Sequence, residues 1–327
     1  MRIWEDAYGM TATTLASRVR ATVPRRSVQV TLEARFAAFL VAPALLAIAL
    51  VAFYPLGHAF WLSLWKINLR FENTPWVFVG LGNYVDTFTD DPRWRNALRV
   101  TGTIAFTSLL AEFVLGMVFA LVMNRAFRGR GLVRAAILIP WSLTTVVSAR
   151  MWQVIYHASY GVFNRMLMDL GVIDAYKPWI ISPVFTIWAM IGADVWKTTP
   201  FVALLLTAGM QLIPGELYEA AAIDGATAWD RFWRITFPLL KPTILVALLF
   251  RMIDVFRMLD LPFVLTGGGP GQATETLSLY TYRVIFTDLK FGAGSALAGT
   301  TFLLILVTAF VFIKVLGAPV AGSEVER

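Results

Sequence analysis

From Phe36 to Trp65 the chain carries no Asp, Glu, Lys or Arg. About 20 consecutive apolar residues are enough to cross the hydrocarbon core of a bilayer, and an uncharged run of this length has few other places to go. Similar stretches recur at Leu98 to Asn124, Ala135 to Tyr156, Pro183 to Met210, Thr243 to Thr266 and Phe291 to Leu316. Helices satisfy their own backbone in lipid, so the chain reads as an all-α polytopic membrane protein with six transmembrane helices. Only 15% of its residues are charged, against about 25% in soluble domains. The net charge of +7 does not mark nucleic-acid binding, because the basic residues sit in short segments flanking apolar spans. Without cysteine there is no disulfide, thiol chemistry or Cys-based zinc site. The two histidines, His58 and His157, lie far apart in the chain, so no metal cluster and no catalytic centre is expected.

Six spans place both termini on one side. Residues 1–35 read as a basic cytoplasmic tail with Arg18, Arg20, Arg25, Arg26 and Arg35, too long for the charged start of a signal peptide. Arg125 to Arg134 holds four arginines and no acid. This bias assigns the tail, Arg125–Arg134, the segment 212–242 and the short tail 317–327 to the inside. Residues 36–316 are then the membrane domain. Lys66 to Ala97, His157 to Ser182 and Gly267 to Lys290 lie outside.

The inner segment 212–242 has the densest pattern. Pro214 and Gly215 stop the preceding span, and residues 216–223 are strong helix formers. Gly225 suits a C-terminal turn with positive φ. A second short helix from Trp229 to Thr236 is expected to end before Pro238. Ala220-Ala221-Ala222 would offer a small-residue surface to a partner; an ordinary helical loop is the plain alternative. Glu219-Ala220-Ala221, then Gly225, Ile235 and Pro238, stand at fixed spacing.

That spacing resembles the cytoplasmic coupling loop of permease subunits in ATP-binding-cassette (ABC) importers, and in particular the sugar permeases of the maltose-uptake type. Phe78–Tyr84 (FVGLGNY), Gly129–Trp141 (GRGLVRAAILIPW), Trp196–Phe201 (WKTTPF), and LTGGGP from Leu265 followed by TETLSLYTYR are similar to segments of the same family. Phe237 departs from the family's usual leucine, and the enlarged outer insertion of the maltose permease itself is missing. The resemblance implies a type I ABC importer permease fold in a bacterial inner (cytoplasmic) membrane. It assigns ATPase coupling to Glu219, Ala220, Ala221, Asp224, Gly225, Ile235 and Pro238. It assigns contact with an extracytoplasmic sugar-binding protein to Thr266, Gly267, Gly268, Gly269 and Pro270. The implied partners are a second homologous permease, two ABC ATPase subunits that bind ATP and Mg, and the lipid bilayer. This chain itself would hold no cofactor. The implied solute is a di- or oligosaccharide, trehalose favoured, with another sugar or a glycerol-phosphate-type solute as the alternative.

Charges within spans need a reason, since each costs about 2.5–3.5 kcal/mol at mid-membrane on insertion scales. Glu112 and Arg150 are expected to pair. Asp194 and Lys197 share a helical face beside Trp196 and Thr198. Arg251, Asp254, Arg257 and Asp260 alternate in sign at steps of three along one span. They either neutralise one another or line a solute pathway, where charges and hydroxyls would hydrogen-bond a sugar and tryptophans stack on it. Two rival classes are an ion-coupled secondary transporter, which gives no reason for the inner motif, and a membrane-embedded glycosyltransferase, for which no metal or nucleophile signature exists.

Overall fold

The computed structural model describes residues 25–70 and 74–316; residues 1–24 of the expected tail 1–35, and the expected tail 317–327, lie outside the described residues. Contacts divide the chain after His58 into two units.

The first unit is dominated by helix α1 (Arg25–Ile48), which begins inside the expected tail rather than after it. A π-helical turn, Ala49–Phe53, leads into α2 (Tyr54–Ser63). The wide turn ends two residues before Pro55, whose ring and missing N–H disfavour a regular α turn. Ala34–Ser63 is long and apolar enough to cross a membrane.

In the second unit a two-residue antiparallel ladder pairs β1 (Trp65–Lys66) with β2 (Val77–Phe78). Helix α3 (Gly82–Thr89) follows, and Asn83 donates to the carbonyls of Ser63 and Trp65 at 2.7 and 3.0 Å. The long helices are α4 (Pro92–Asn124), α8 (Pro183–Gln211), α11 (Phe237–Phe256) and α14 (Phe291–Leu316). Between α4 and α8 lie α5 (Arg130–Ser142), α6 (Thr145–Ile155) and α7 (Val162–Asp169). Helices α9 (Gly215–Ile223) and α10 (Ala228–Arg231) join α8 to α11; α12 (Asp260–Leu265) and α13 (Leu277–Phe286) join α11 to α14.

The side-chain core fixes the directions of these helices. Ile104 and Leu109 of α4 pack with Met190 and Ile191 of α8, and Met117 and Ala120 pack with Val202 and Leu206. A Cβ on Gly116 would stand 2.9 Å from Val202 Cγ1, so the two backbones approach closely there. Helices α4 and α8 therefore run parallel, and the chain between them has to cross back. Helices α5 and α6 make that return. Arg134 donates to the Met123 carbonyl near the end of α4, Trp141 stacks on Phe201, and Trp152 meets Trp196 edge-on.

The expected third span, Ala135–Tyr156, is thus a crossing but not one helix: α5 and α6 meet at 94°. Pro140 removes a backbone donor, Leu143 is extended, and the Thr144 hydroxyl caps α6 by accepting from Val147 N–H.

Helix α11 runs opposite to α8, with Leu240 against Leu206 and Met210 at one end and Val255 against Met190 at the other. The expected fifth span, Thr243–Thr266, is corrected: the helix ends at Phe256 and α12 starts afresh. Pro262 would clash with the Met258 carbonyl in a continuous helix. That carbonyl instead accepts from the Thr276 hydroxyl at 2.7 Å, and the Phe256 carbonyl from Ser278 at 2.9 Å. Helix α14 runs parallel to α4, with Leu297 beside Ala97 and Phe312 beside the Leu109 cluster.

These contacts give five alternating crossings among the described residues of the second unit: α4, α5–α6, α8, α11 and α14. Three long helices there pass on apolarity alone; α11 does not, because it carries Lys241, Arg251 and Asp254 within its 20 residues.

Candidate functional site: a charged cleft and the elbow joined to it

Arg251, on α11, is the hub of the bundle's interior. Its Nε and Nη2 donate to both carboxylate oxygens of Glu112 at 2.6 and 2.8 Å, and Nη2 also reaches Asp194 Oδ2 at 3.0 Å. Glu112 is 0% exposed. The Thr198 hydroxyl lies 2.6 Å from Glu112 Oε1 and 2.6 Å from the Asp194 carbonyl. Helices α4, α8 and α11 are pinned together at this point. The expected Glu112–Arg150 pair does not form, and Arg150 donates to Gln153 at 2.9 Å instead. The parallel packing of α4 and α8 brings Glu112 to Thr198, and the antiparallel α11 supplies the cation.

Beside this cluster is a cleft of about 340 Å³, lined by polar atoms of Asp194, Lys197, Thr198, Arg251, Asp254, Arg257 and Asp260. Ligand pockets commonly measure about 300–1,000 Å³. Seven of the eight expected pathway residues thus share one cavity, built from four elements rather than one helix. The eighth, Trp196, faces a separate, largely apolar cavity with Leu115, Phe119 and Thr199.

The uniform ladder along one span is corrected. Arg251 and Asp254 approach to 3.6 Å, with Asp254 62% exposed, but the helix break at Arg257 places Asp260 on α12. Thr145, the first residue of α6, also lines the cleft and was not singled out in the sequence; its only signal is a hydroxyl next to a helix start.

Gln153 was missed too. Its amide donates to the carbonyls of Val264 and Leu265 at 2.6 and 2.9 Å, tying the kinked span to α12.

The segment after α12, expected to lie outside, is folded. Thr274 Oγ1 bonds Thr266 Oγ1 at 2.7 Å and donates to the Gly269 carbonyl at 2.9 Å, and Arg283 donates to the Gly267 carbonyl. Glu275, 0% exposed, is clamped by Arg93 at 2.7 and 2.8 Å and by Arg283 at 2.5 Å. Tyr280 donates to Asp91 at 2.5 Å; burial, with that carboxylate next, raises its phenol above the usual range. Nothing in the polar spacing of Asp91, Arg93, Glu275 and Arg283 announced this clamp, in which Arg93 and Glu275 stand 182 positions apart.

The elbow, expected to lie inside, begins just after the end of α8. Helix α9 ends with Gly225 at φ +77°. Ala226 N–H reaches the Ala221 carbonyl at 2.8 Å and Gly225 N–H that of Ala222 at 3.1 Å, the paired bonds of a Schellman cap. Thr227 then caps α10 reciprocally with Asp230. The Thr227 side chain holds the Asp230 carboxyl below the usual carboxylate range.

The second helix does not stop before Pro238, as expected. It widens into a π-helical turn, Phe232–Thr236, and continues as α11. The wide turn accommodates the donor that Pro238 lacks. Glu219, Ala220, Asp224, Gly225 and Pro238 are exposed, and Ala221 and Ile235 half-buried. Ile223 is 87% and Trp229 70% exposed. No group of His, Asp or Glu with metal-binding geometry occurs among the described residues.

A family model described as "Binding-protein-dependent transport system inner membrane component" matches residues 112–319. The trehalose/maltose transport system permease protein MalF of Thermococcus litoralis is 43% identical over 283 residues, covering 86% of this chain and 94% of its own. The trehalose transport system permease protein SugA of Mycobacterium tuberculosis is 41% identical over 313 residues, covering 95% and 98%. Among solved structures, a bacterial ABC transporter involved in the import of the acidic polysaccharide alginate matches with a TM-score of 0.71 at 24% identity, over 90% of this chain and 98% of that one. At that identity the likeness is one of fold. The matched region holds the buried charge cluster, the cleft and the elbow alike, and on this agreement of sequence and fold the chain belongs to the family of binding-protein-dependent transport system inner membrane components.

Proposed function

We propose that this chain is the permease subunit of an ATP-driven importer of carbohydrate, with a di- or oligosaccharide such as trehalose as the solute. One observation carries the reading. The exposed elbow joins α8 directly to α11, and these two helices supply most charged groups of the cleft, Asp194 and Lys197 from one and Arg251 and Asp254 from the other. A push on the elbow therefore moves both walls of the cavity. Charges and hydroxyls in alternation suit a polyhydroxylated solute, whose hydroxyls both donate and accept around each ring. Names of relatives that transport trehalose, maltose or sulfoquinovosyl glycerol support the solute class.

In this account the chain is not itself an ATPase. It pairs with a second permease and docks through Glu219–Gly225, with Ile235 and Pro238 at the base of the elbow, on one of two ATPase subunits that bind ATP and Mg. A bacterial alginate ABC transporter of similar fold has been seen in complex with an alginate pentasaccharide-bound periplasmic protein. The corresponding contact here is the folded segment Thr266–Pro270. The chain sits in the bacterial inner membrane with both termini inside. Closure of the ATPases rocks α8 and α11 between inward- and outward-open states, the free energy of ATP being shared with the cleft.

The test is sugar-stimulated ATP turnover by the reconstituted complex. Gly225→Trp should leave the subunit inserted and assembled but uncouple hydrolysis from uptake. Normal stimulation in an assembled Gly225→Trp complex would overturn the proposal.

A further inference from the structure

The second outer segment is built around Asn164, which is fully buried. Its side chain donates to the Lys177 carbonyl at 3.0 Å and accepts from Lys177 N–H at 3.0 Å and Trp179 Nε1 at 2.7 Å. Rings tie this knot to the spans. Trp152, Tyr156, Phe163, Trp179 and Phe185 follow one another with centroids 4.8, 5.3, 5.1 and 5.3 Å apart. Phe185 lies in the first turn of α8, so α7 is held at the level where that span leaves the hydrocarbon. Aromatic side chains concentrate at this depth.

The outward face of α7 is divided lengthwise. Val162, Met166 and the following Leu170 stand four apart on one stripe, 58%, 55% and 71% exposed. Arg165 and Asp169 form a 3.0 Å ion pair on the adjacent stripe. Beyond α7, Val172 and Ile181 are exposed as well, and at the start of α8 so are Val184 and Trp188. The apolar surface of the knot thus continues the exposed apolar surface at the start of α8, with charges along its other border. A water-facing helix has no use for that division, whereas a helix lying in a membrane interface needs it.

We infer that α7 is an interfacial helix, resting Val162, Met166 and Leu170 on the acyl chains of the outer leaflet and holding Arg165 and Asp169 in the headgroup layer. In this position it would fix the outer end of the kinked α5–α6 crossing against the bilayer.

The chain has no cysteine, so a single label is unambiguous once any cysteines of the partner subunits have been replaced. The full transporter carrying Met166→Cys, Leu170→Cys or, as the water-facing control, Asp174→Cys would be spin-labelled in vesicles of phosphatidylethanolamine and phosphatidylglycerol. Collision with oxygen and with a water-soluble nickel chelate is then compared. Labels at 166 and 170 should meet the nickel reagent several-fold less often than the label at 174, and oxygen more often. All three positions are exposed, so the variants retain their packing. Equal nickel access at the three sites would overturn the inference. So would nickel access at 166 and 170 that is lost only when a sugar-loaded binding protein is added, since the face would then belong to a protein partner.

Discussion

Replacing Arg251 by methionine is the sharpest perturbation of the bundle. The methionine fills much of the same space but removes three charge-assisted hydrogen bonds, two to Glu112 and one to Asp194, at 2.6–3.0 Å. Glu112 and Asp194, both buried, are then left as neighbouring carboxylates without a cation. Breaking a buried pair by removing one partner costs about 3–5 kcal/mol. The contact between Arg251 and Asp254 is of another kind, being 3.6 Å long with an exposed carboxylate. Asp254→Asn should therefore cost at most about 1 kcal/mol. The double variant Glu112→Leu with Arg251→Met removes one of the two stranded carboxylates, leaving Asp194, and should be more stable than Arg251→Met alone, a non-additivity expected of residues in one network. Unfolding by SDS titration in mixed micelles measures all three differences on one scale. The reasoning is refuted if Asp254→Asn equals Arg251→Met, or if the double variant loses the sum of its parts.

Other outcomes follow from separate features. Gly225→Ala meets no atom within 4 Å, so its cost should be the backbone strain alone, about 1–2 kcal/mol, visible as faster amide exchange in α9 with unchanged exchange in α8. Gly209→Val should be worse, because a Cβ there would stand 2.5 Å from Thr243 Oγ1 and 2.8 Å from Leu240 Cδ1; overpacking costs about 1–3 kcal/mol, and SDS titration reads it. Glu275→Gln should loosen the outer clamp, so limited proteolysis from outside should cut residues 266–276 sooner than in the parent. Asp194→Ala should change the solute dependence of ATP turnover while ATPase subunits still co-purify; unchanged dependence would make Asp194 purely structural.

The sequence carried the helix pattern and the elbow well because both are local. Gly225 reads as a helix stop and the structure uses it so, whereas the next helix starts at the Thr227 cap rather than at Trp229. Charge pairing was read poorly because it is tertiary. Glu112 had several arginines available, and only the packing of α11, antiparallel to α4 and α8, selects Arg251 over Arg150. The breaks in the third and fifth spans were within reach: Pro140 before Thr144, and Pro262 after Arg257, are breakers inside apolar runs. Apolarity outweighed them, since a composition suited to lipid says nothing about whether a crossing is one helix or two. The Arg93–Glu275–Arg283 clamp joins residues about 180 positions apart in sequence, a closure no local pattern encodes.

The elbow's encounter with a separate motor is tested most directly by a single cysteine at Ile223, 87% exposed at the end of α9. In the assembled transporter, Ile223→Cys should cross-link to an ATPase subunit and resist a membrane-impermeant maleimide added outside sealed cells. Labelling of Cys at that position from outside, or an ATPase that never cross-links to it in an active complex, would contradict the account.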